Sequence, residues 1–317
     1  IATELAAKPS QVDAAISLLD EGATVPFIAR YRKEKTGGLS DTQLRTLSER
    51  LTYLRDLEDR KGTILAAIEE QNKLTPELKK QIVEADTKTR LEDLYLPYKK
   101  KRVTKAQIAR DAGLEPLALG LLGDPTLEPT ATAQGYINPD KEVTDADKAL
   151  EGARQILMER FAEDADLLAK LRRHIEQHGI IVSKVVDGKE NEAEKFKDYF
   201  DFKELLKKIP SHRALAMFRG RNENCLKLDI STENDDGTDP CLGILLNHVE
   251  IEQKGRAADE WLYETARQAW RNKIRLKLDI DLKTELKLRS DDGAIKVFAD
   301  NLNDLLMASP AGPKAII

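Results

Sequence analysis

Along most of this chain apolar residues recur at spacings of three and four, the pattern of helices with one buried face. It is clearest in "LSDTQLRTLSERLTYLRDLEDRK", where Leu44, Leu47, Leu51, Leu54 and Leu57 make a single stripe. Ser40 with Gln43 offers a capping box at its start. "GTILAAIEEQNKLTPELKKQIVEADTKTRLEDLYLPY" divides into three short helices. The middle one has Thr75 as N-cap, Pro76 at the first helical position and Glu77 in the first turn, and Pro97 ends the third.

Further along, "VTDADKALEGARQILMERFAEDADLLAKLRRHIEQHG" predicts two helices. Thr144 with Asp147 would cap the first, Asp164 the second, and Gly179 would stop it. A short helix is expected between Ser211 and Gly220, and another around Trp261, Ala269, Trp270 and Ile274. The last helix is expected to start at Ser290, with Asp291 and Asp292 in its first turn, and to end near Ser309. Its stripe is Ile295, Phe298, Leu302, Leu305 and Leu306, of which the first four are expected to be buried, as are Leu44, Leu47, Leu51 and Leu54.

Period-two alternation is scarce. "IIVSKVV" (180–186) and "CLKLDI" (225–230) are the strand candidates, expected to pair as a small ribbon. "STENDDGTDP" (231–240) reads as an exposed loop, and the Pro-containing stretch 123–139 as a connection between subdomains. The fold class that follows is mainly α: an elongated multi-helix scaffold with at most a small β-ribbon.

Composition narrows the function. Charged residues make up 34% of the 317, which suits long helices with solvated faces, and aromatics are only 5%, which argues against an all-β sandwich. Cys225 and Cys241 form no CxxC motif and are expected to be reduced thiols. No apolar run approaches the ~18 residues of a membrane span, and no signal peptide is visible. His174 and His178 stand four apart on one helix, a spacing that can hold a metal, yet no third ligand lies near them in sequence. His212 and His248 have no nucleophile nearby. Acidic pairs sit at helix starts or in loops, where capping explains them. No phosphate-loop, dinucleotide, hydrolase or zinc-protease motif is present. The chain is therefore expected to be no enzyme and to need no cofactor or metal.

Positive charge is where the sequence stands out. The net charge is −5, yet five of the seven residues from Lys99 to Lys105 are basic: Lys99, Lys100, Lys101, Arg102 and Lys105. A second set, Arg30, Arg32, Lys33 and Lys35, surrounds Tyr31 and precedes a glycine pair in "FIARYRKEKTGG". Arg213, Arg219 and Arg221 form a third, in "SHRALAMFRGR". Basic residues beside aromatics and glycines suit contacts to a phosphate backbone. A solvated face paired with the many acids is the competing account. Residues 57–122, with three or four short helices, have the content of a helix-turn-helix-like module, which serves DNA binding or protein contact alike.

"VPFIARYRKEKTGG", "LEDLYLPYKKKRVTKA", "KIPSHRALAMFRG" and "AIKVFADNLNDLLMASPAGPKA" closely resemble, in this order, the Tex family of bacterial transcription accessory proteins. The resemblance covers nearly the whole chain. It implies a cytoplasmic protein whose helical N-terminal region carries a helix-turn-helix-like insert. An RNase H-like (YqgF) domain, helix-hairpin-helix repeats and an S1 domain follow in the family. On this reading residues 1–56 and 123–309 form a discontinuous scaffold, 57–122 the insert, and 310–317 a linker towards the RNase H-like domain. The implied function is the N-terminal portion of a transcription accessory factor that binds nucleic acid, RNA or DNA; in the family that binding lies chiefly in the helix-hairpin-helix and S1 parts, so this part is expected to be a scaffold with auxiliary basic contacts that binds weakly. The alternative is an interaction scaffold for transcription or RNA-processing proteins. Lys99–Lys105 would serve either a phosphate backbone or a protein contact. A monomer and no membrane association are expected.

Overall fold

A capping box starts the first long helix as the sequence dictates. The Gln43 amide donates to Leu5 O at 3.0 Å, its Oε1 accepts from Ser40 N at 3.0 Å, and Gln43 N donates to the Ser40 hydroxyl at 3.2 Å. The computed structural model describes residues 1–99, 102–234 and 237–308. The chain forms two units, Ile1–Lys99 and Lys100–Ile317.

In the first unit α1 (Pro9–Asp20), α2 (Val25–Tyr31) and α3 (Asp41–Glu69) enclose Val12, Ala15, Leu18, Ile28, Leu44 and Leu47. Leu51 and Leu54 are half-buried rather than buried, and Leu57 is buried again. That places the α3 stripe in two separate contacts. Its second half meets α4 (Pro76–Glu84) and α5 (Lys88–Tyr95), where Leu57, Ile64, Ile68, Ile82 and Leu91 are buried. Buried Lys61 donates to Val83 O and to Glu58 Oε1, each at 2.8 Å, so its charge is paired and the end of α4 is tied to α3. The expected break between Lys61 and Gly62 does not occur, because α3 runs through Gly62. A lone helical glycine only weakens a helix that packing supports on both sides.

In the second unit α6 (Lys105–Asp111), α7 (Glu115–Gly123), α8 (Pro129–Gln134) and α13 (Asp259–Ala269) pack around α9 (Ala146–Ala162). The helices of the expected 57–122 insert thus lie on both sides of the division, α4 and α5 in one unit, α6 and α7 in the other. A Cβ at Gly152 of α9 would stand 2.3 Å from Leu114 Cδ1, so any side chain there would push Leu114 aside. The cap of α9 is Asp145, not Thr144, whose hydroxyl instead donates to Asp145. Asp164 caps α10 (Ala165–His178) as expected, and Gly179 follows its last residue.

The two expected strands do pair. Strand β1 (Ile180–Val185) lies antiparallel to β3 (Leu226–Ser231). A third strand, β2 (Asp201–Leu205), flanks β1 on its other side, in the order β2-β1-β3. Its sequence, DFKEL, has one aromatic among three charges and gave no strand signal. Helix α11 (Ser211–Asn222) packs on β3 and on α14 (Arg275–Met307). The β3 edge is closed by α14: Asp279 Oδ1 accepts from Ile230 N at 3.2 Å, and Lys283 Nζ donates to Leu228 O at 2.6 Å. Lys283 also pairs with Asp279 at 2.7 Å, so one helical turn supplies both an acceptor and a donor to a strand edge.

The loop expected to be merely exposed is anchored by Asp239. It caps α12 (Pro240–His248) and accepts from the Trp270 indole and the Thr232 hydroxyl.

The C-terminal helix departs most from expectation. It begins at Arg275, after a five-residue π-helical segment, and Ser290 lies inside it, buried, with its hydroxyl donating to Leu286 O at 2.7 Å. A serine can satisfy its hydroxyl on the preceding turn as well as cap, and here nothing breaks the helix. Gly293 then passes so close to α11 that a Cβ would meet Ser211 Oγ at 2.3 Å. Beyond that contact Ile295, Phe298, Leu302, Leu305 and Leu306 are exposed, Phe298 at 68%. Periodicity names the apolar face of a helix, not what covers it. The segment 310–317 lies outside the described residues. No helix among the described residues is long and apolar enough to cross a membrane.

Two outcomes follow. Gly62 is exposed, and a Cβ there would meet nothing within 4 Å. Gly62→Ala should therefore stabilise the chain by about 0.5–1 kcal/mol in urea denaturation. Both cysteines are free and buried, and burial, with Asp239 nearby, pushes the Cys241 thiol up to about 12. At pH 8 it stays a thiol, so mass spectrometry should find no iodoacetamide adduct on Cys241 until the chain is unfolded.

Candidate nucleic-acid interface

Helix α2 is short, and its two faces differ. Ile28 is fully buried in the core of the first unit, a contact worth roughly 1.5–3 kcal/mol. Phe27, Arg30 and Tyr31 stand three and four residues apart, so they share the outer face. All three are exposed, Phe27 at 41% and Tyr31 at 62%. Their rings tilt against each other with centroids 5.4 Å apart. The Arg32 guanidinium sits 5.3 Å from the Phe27 centroid, a cation–π distance.

After α2 the chain makes one more closed turn. Gly38 N donates to Lys33 O at 2.9 Å and Gly37 N to Glu34 O at 3.1 Å. This is the paired hydrogen bonding of a Schellman end, with Gly37 in the left-handed position at φ +59°. Buried Thr36 donates from its hydroxyl to Lys33 O at 3.1 Å. Gln11, from α1, donates to Gly37 O at 2.7 Å and to Thr36 O at 3.4 Å, while its Oε1 accepts from Lys8 N at 2.9 Å. The turn is thus pinned to α1 through one amide.

Arg30 at the end of α2 and Arg32, Lys33 and Lys35 on the turn are all exposed and, with Tyr31, Glu34, Gly37 and Gly38, line a concavity of ≈ 760 Å³. Among the described residues no carboxylate pairs with any of the four.

The third basic set is built differently. Arg213 pairs with Glu204 at 3.2 Å and stacks on Phe202, and Arg219 pairs with Glu223 at 3.2 Å. Lys195 and then Arg219 hold the Glu223 carboxyl below its usual range. Arg221 lies over the Phe218 ring at 5.2 Å. Two of these three arginines are therefore already engaged by acids.

Residues 124–298 match the family described as Tex central region-like, and residues 1–69 match Tex-like protein N-terminal domain. This chain belongs to the Tex family. It is 54% identical to Protein YhgF of Escherichia coli over 99% of the chain and 41% of that protein. It is 52% identical to Transcriptional accessory protein Tex of Neisseria gonorrhoeae over 98% of the chain and 41% of that protein. Human S1 RNA-binding domain-containing protein 1 is 27% identical over 95% of the chain and 31% of its own length. The chain thus spans about 41% of the length of its bacterial Tex relatives.

Of the remaining positive cluster in this Tex-family chain, Lys99, Arg102 and Lys105 are exposed, and Lys100 and Lys101 lie outside the described residues. His174 and His178 do meet, with ring centroids 4.9 Å apart, beside Glu233 and Asn234 in a cavity of ≈ 290 Å³. Burial, then His178, lowers the His174 pKa. No group of three or more His, Cys, Asp or Glu side chains is placed to hold a metal ion among the described residues. His248 is spoken for, between Asp164 Oδ2 at 2.9 Å and Lys170 Nζ at 3.0 Å.

Sequence reasoning located the cations and Tyr31 but missed Gln11 and Thr36, which hold them in place. The local bond of Gln11 to Lys8 N does not reveal its hold on the turn, since Thr36 and Gly37 lie 25 and 26 residues away. Gln11→Ala should cost about 0.5–1.5 kcal/mol for each hydrogen bond lost. Amide exchange at Gly37 and Gly38 should quicken relative to the α3 amides. Unchanged exchange there would show that the turn does not depend on Gln11.

Proposed function

We propose that this Tex-family chain is the N-terminal portion of a transcription accessory factor that binds nucleic acid, and that the turn Arg30–Lys35 is its principal contact surface. The carrying observation is four exposed cations, with no acid partner among the described residues, at the end of α2 and on a turn pinned to α1 and closed by glycines. Cations held apart from carboxylates keep their full field for an outside anion, and a fixed turn loses little freedom on binding. The names of the relatives in Neisseria gonorrhoeae and human, one transcriptional and one RNA-binding, support the same reading. Lys99, Lys100, Lys101, Arg102 and Lys105 act as auxiliary contacts. Arg213, Arg219 and Arg221 contribute less, because acids already engage two of them. The role is binding without catalysis or cofactor, as a cytoplasmic monomer, with residues 57–122 as a helix-turn-helix-like insert.

The exposed stripe Ile295, Phe298, Leu302 and Leu305 favours a second reading, a scaffold that docks to transcription or RNA-processing proteins.

Salt titration separates the two. Each phosphate neutralised on a single strand contributes about −0.7 to the log–log slope of affinity against salt. Changing Arg30, Lys33 and Lys35 together to Ala should weaken binding to all sequences and flatten that slope by about 1.4–2.1. Folding stability should hardly change, since these are surface charges. Equal slopes for parent and variant would remove the turn from nucleic-acid binding and leave the docking scaffold.

A further inference from the structure

Two histidines that the nucleic-acid reading leaves unused stand in one cavity. His174 and His178 are four residues apart on α10, and their rings tilt at 37° with centroids 4.9 Å apart. Rings in plain contact reach that distance too. It is also the distance that one shared metal ion sets. With a metal–nitrogen bond of about 2.05 Å the ion stands about 3.2 Å from each ring centroid, so ligand angles of about 90–110° put the centroids about 4.5–5.2 Å apart.

The surroundings go beyond an aromatic pair. The rings share a cavity of ≈ 290 Å³ with Ser231, Thr232, Glu233 and Asn234, from the end of β3 and the loop after it. Oxygen donors therefore line the same space as the imidazoles, and it is wide enough for an ion with several waters, each about 30 Å³. The local field favours a cation. The pair lies towards the C-terminal end of α10, the negative end of the helix dipole, and Asp239 favours positive charge at His174. His178 is exposed and His174 half-buried, so an ion can reach both from solvent.

We propose that His174 and His178 chelate a Zn²⁺ ion and that Glu233 joins it from the loop after β3. Two imidazoles on successive turns of one helix are already held together, so little freedom is lost when the second nitrogen binds. Among the described residues no third His, Cys, Asp or Glu already stands with the pair. Glu233 is exposed, so its side chain turns onto the ion, and water fills the remaining position. Imidazoles with one carboxylate select Zn²⁺ over Mg²⁺, which prefers oxygen ligands alone. The ion ties the end of α10 to the loop after β3, a clip with no part in catalysis. The site lies in the second unit and the basic turn in the first, so the proposal stands apart from the nucleic-acid reading.

Calorimetric titration of Zn²⁺ into the 317-residue chain should find one ion bound, and Mg²⁺ should not displace it. Removing an outer partner of a metal ligand already costs about 10- to 100-fold in affinity, so His174→Ala and His178→Ala should each cost at least that much. Glu233→Gln should cost less, about tenfold. His212→Ala, on α11, should bind as the parent does. In NMR spectra of the histidine rings, Zn²⁺ should shift His174 and His178 and leave His212 and His248 in place. His178 is exposed, so His178→Ala should keep the parent's circular dichroism and carries the test even where His174→Ala fails to fold. No uptake at millimolar Zn²⁺ refutes the site. Undiminished uptake by the double variant His174→Ala/His178→Ala puts the ion elsewhere and refutes it equally. Undiminished affinity in Glu233→Gln removes the loop from the site, and with it the clip.

Discussion

The side-chain amide of Gln11 is the constraint on which the functional surface depends. Its Oε1 accepts from Lys8 N and so helps start α1, and its Nε2 donates to Gly37 O and Thr36 O and so holds the basic turn. A single residue thereby ties the first helix to a turn that carries four unpaired cations. That turn would otherwise have every reason to open. Arg30, Arg32, Lys33 and Lys35 repel one another, and Glu34 is the only acid within the stretch. A fixed turn turns this repulsion to use, because among the described residues no carboxylate pairs with these cations, which leaves them open to an outside anion. Gly37 is part of the same device: it takes the left-handed conformation, and a Cβ there would stand 3.0 Å from the Gln11 Nε2.

Elsewhere charge is used within the fold, in the first unit by Arg55 with Asp20 and Arg60 with Glu92, and in the second by further pairs. Lys283 and Asp279 spend theirs on the β3 edge, Arg110 pairs with buried Glu159 at 2.7 Å, and Arg213 and Arg219 are matched by Glu204 and Glu223. Here ion pairs close a strand edge and join helices, which is a structural use of the same residue types. An acidic chain can therefore hold one field-rich surface, provided its other cations are neutralised within the fold.

Local chemistry carried much of the fold on its own. Ser40 with Gln43, Thr75 with Pro76, and Asp164 with Gly179 mark helix ends because capping needs only neighbours in sequence. The β1–β3 pairing was legible because both strands are β-branched or alternating. What failed depends on distant partners. β2 exists because β1 has a second edge to fill, not because DFKEL favours a strand. Gly62 lies inside a helix that packing on either side keeps continuous, and Ser290 satisfies its hydroxyl on the preceding turn instead of capping. The stripe after Gly293 has helical spacing and nothing over it among the described residues. The candidate site divides in the same way: its cations, Tyr31 and glycines are contiguous and visible, and its supports, Gln11 and Thr36, emerge only from the folded turn.

Photocrosslinking asks whether nucleic acid meets this chain at the pinned turn. A 12-nucleotide oligouridylate carrying one 4-thiouridine would be irradiated with the 317-residue chain, and the adducts mapped by mass spectrometry. Adducts should fall on the peptide that spans Phe27 to Lys35 and be lost when Gln11 is changed to Ala. Adducts confined to α11 or to Lys99–Lys105, with none on Phe27–Lys35, would rule the turn out as the contact.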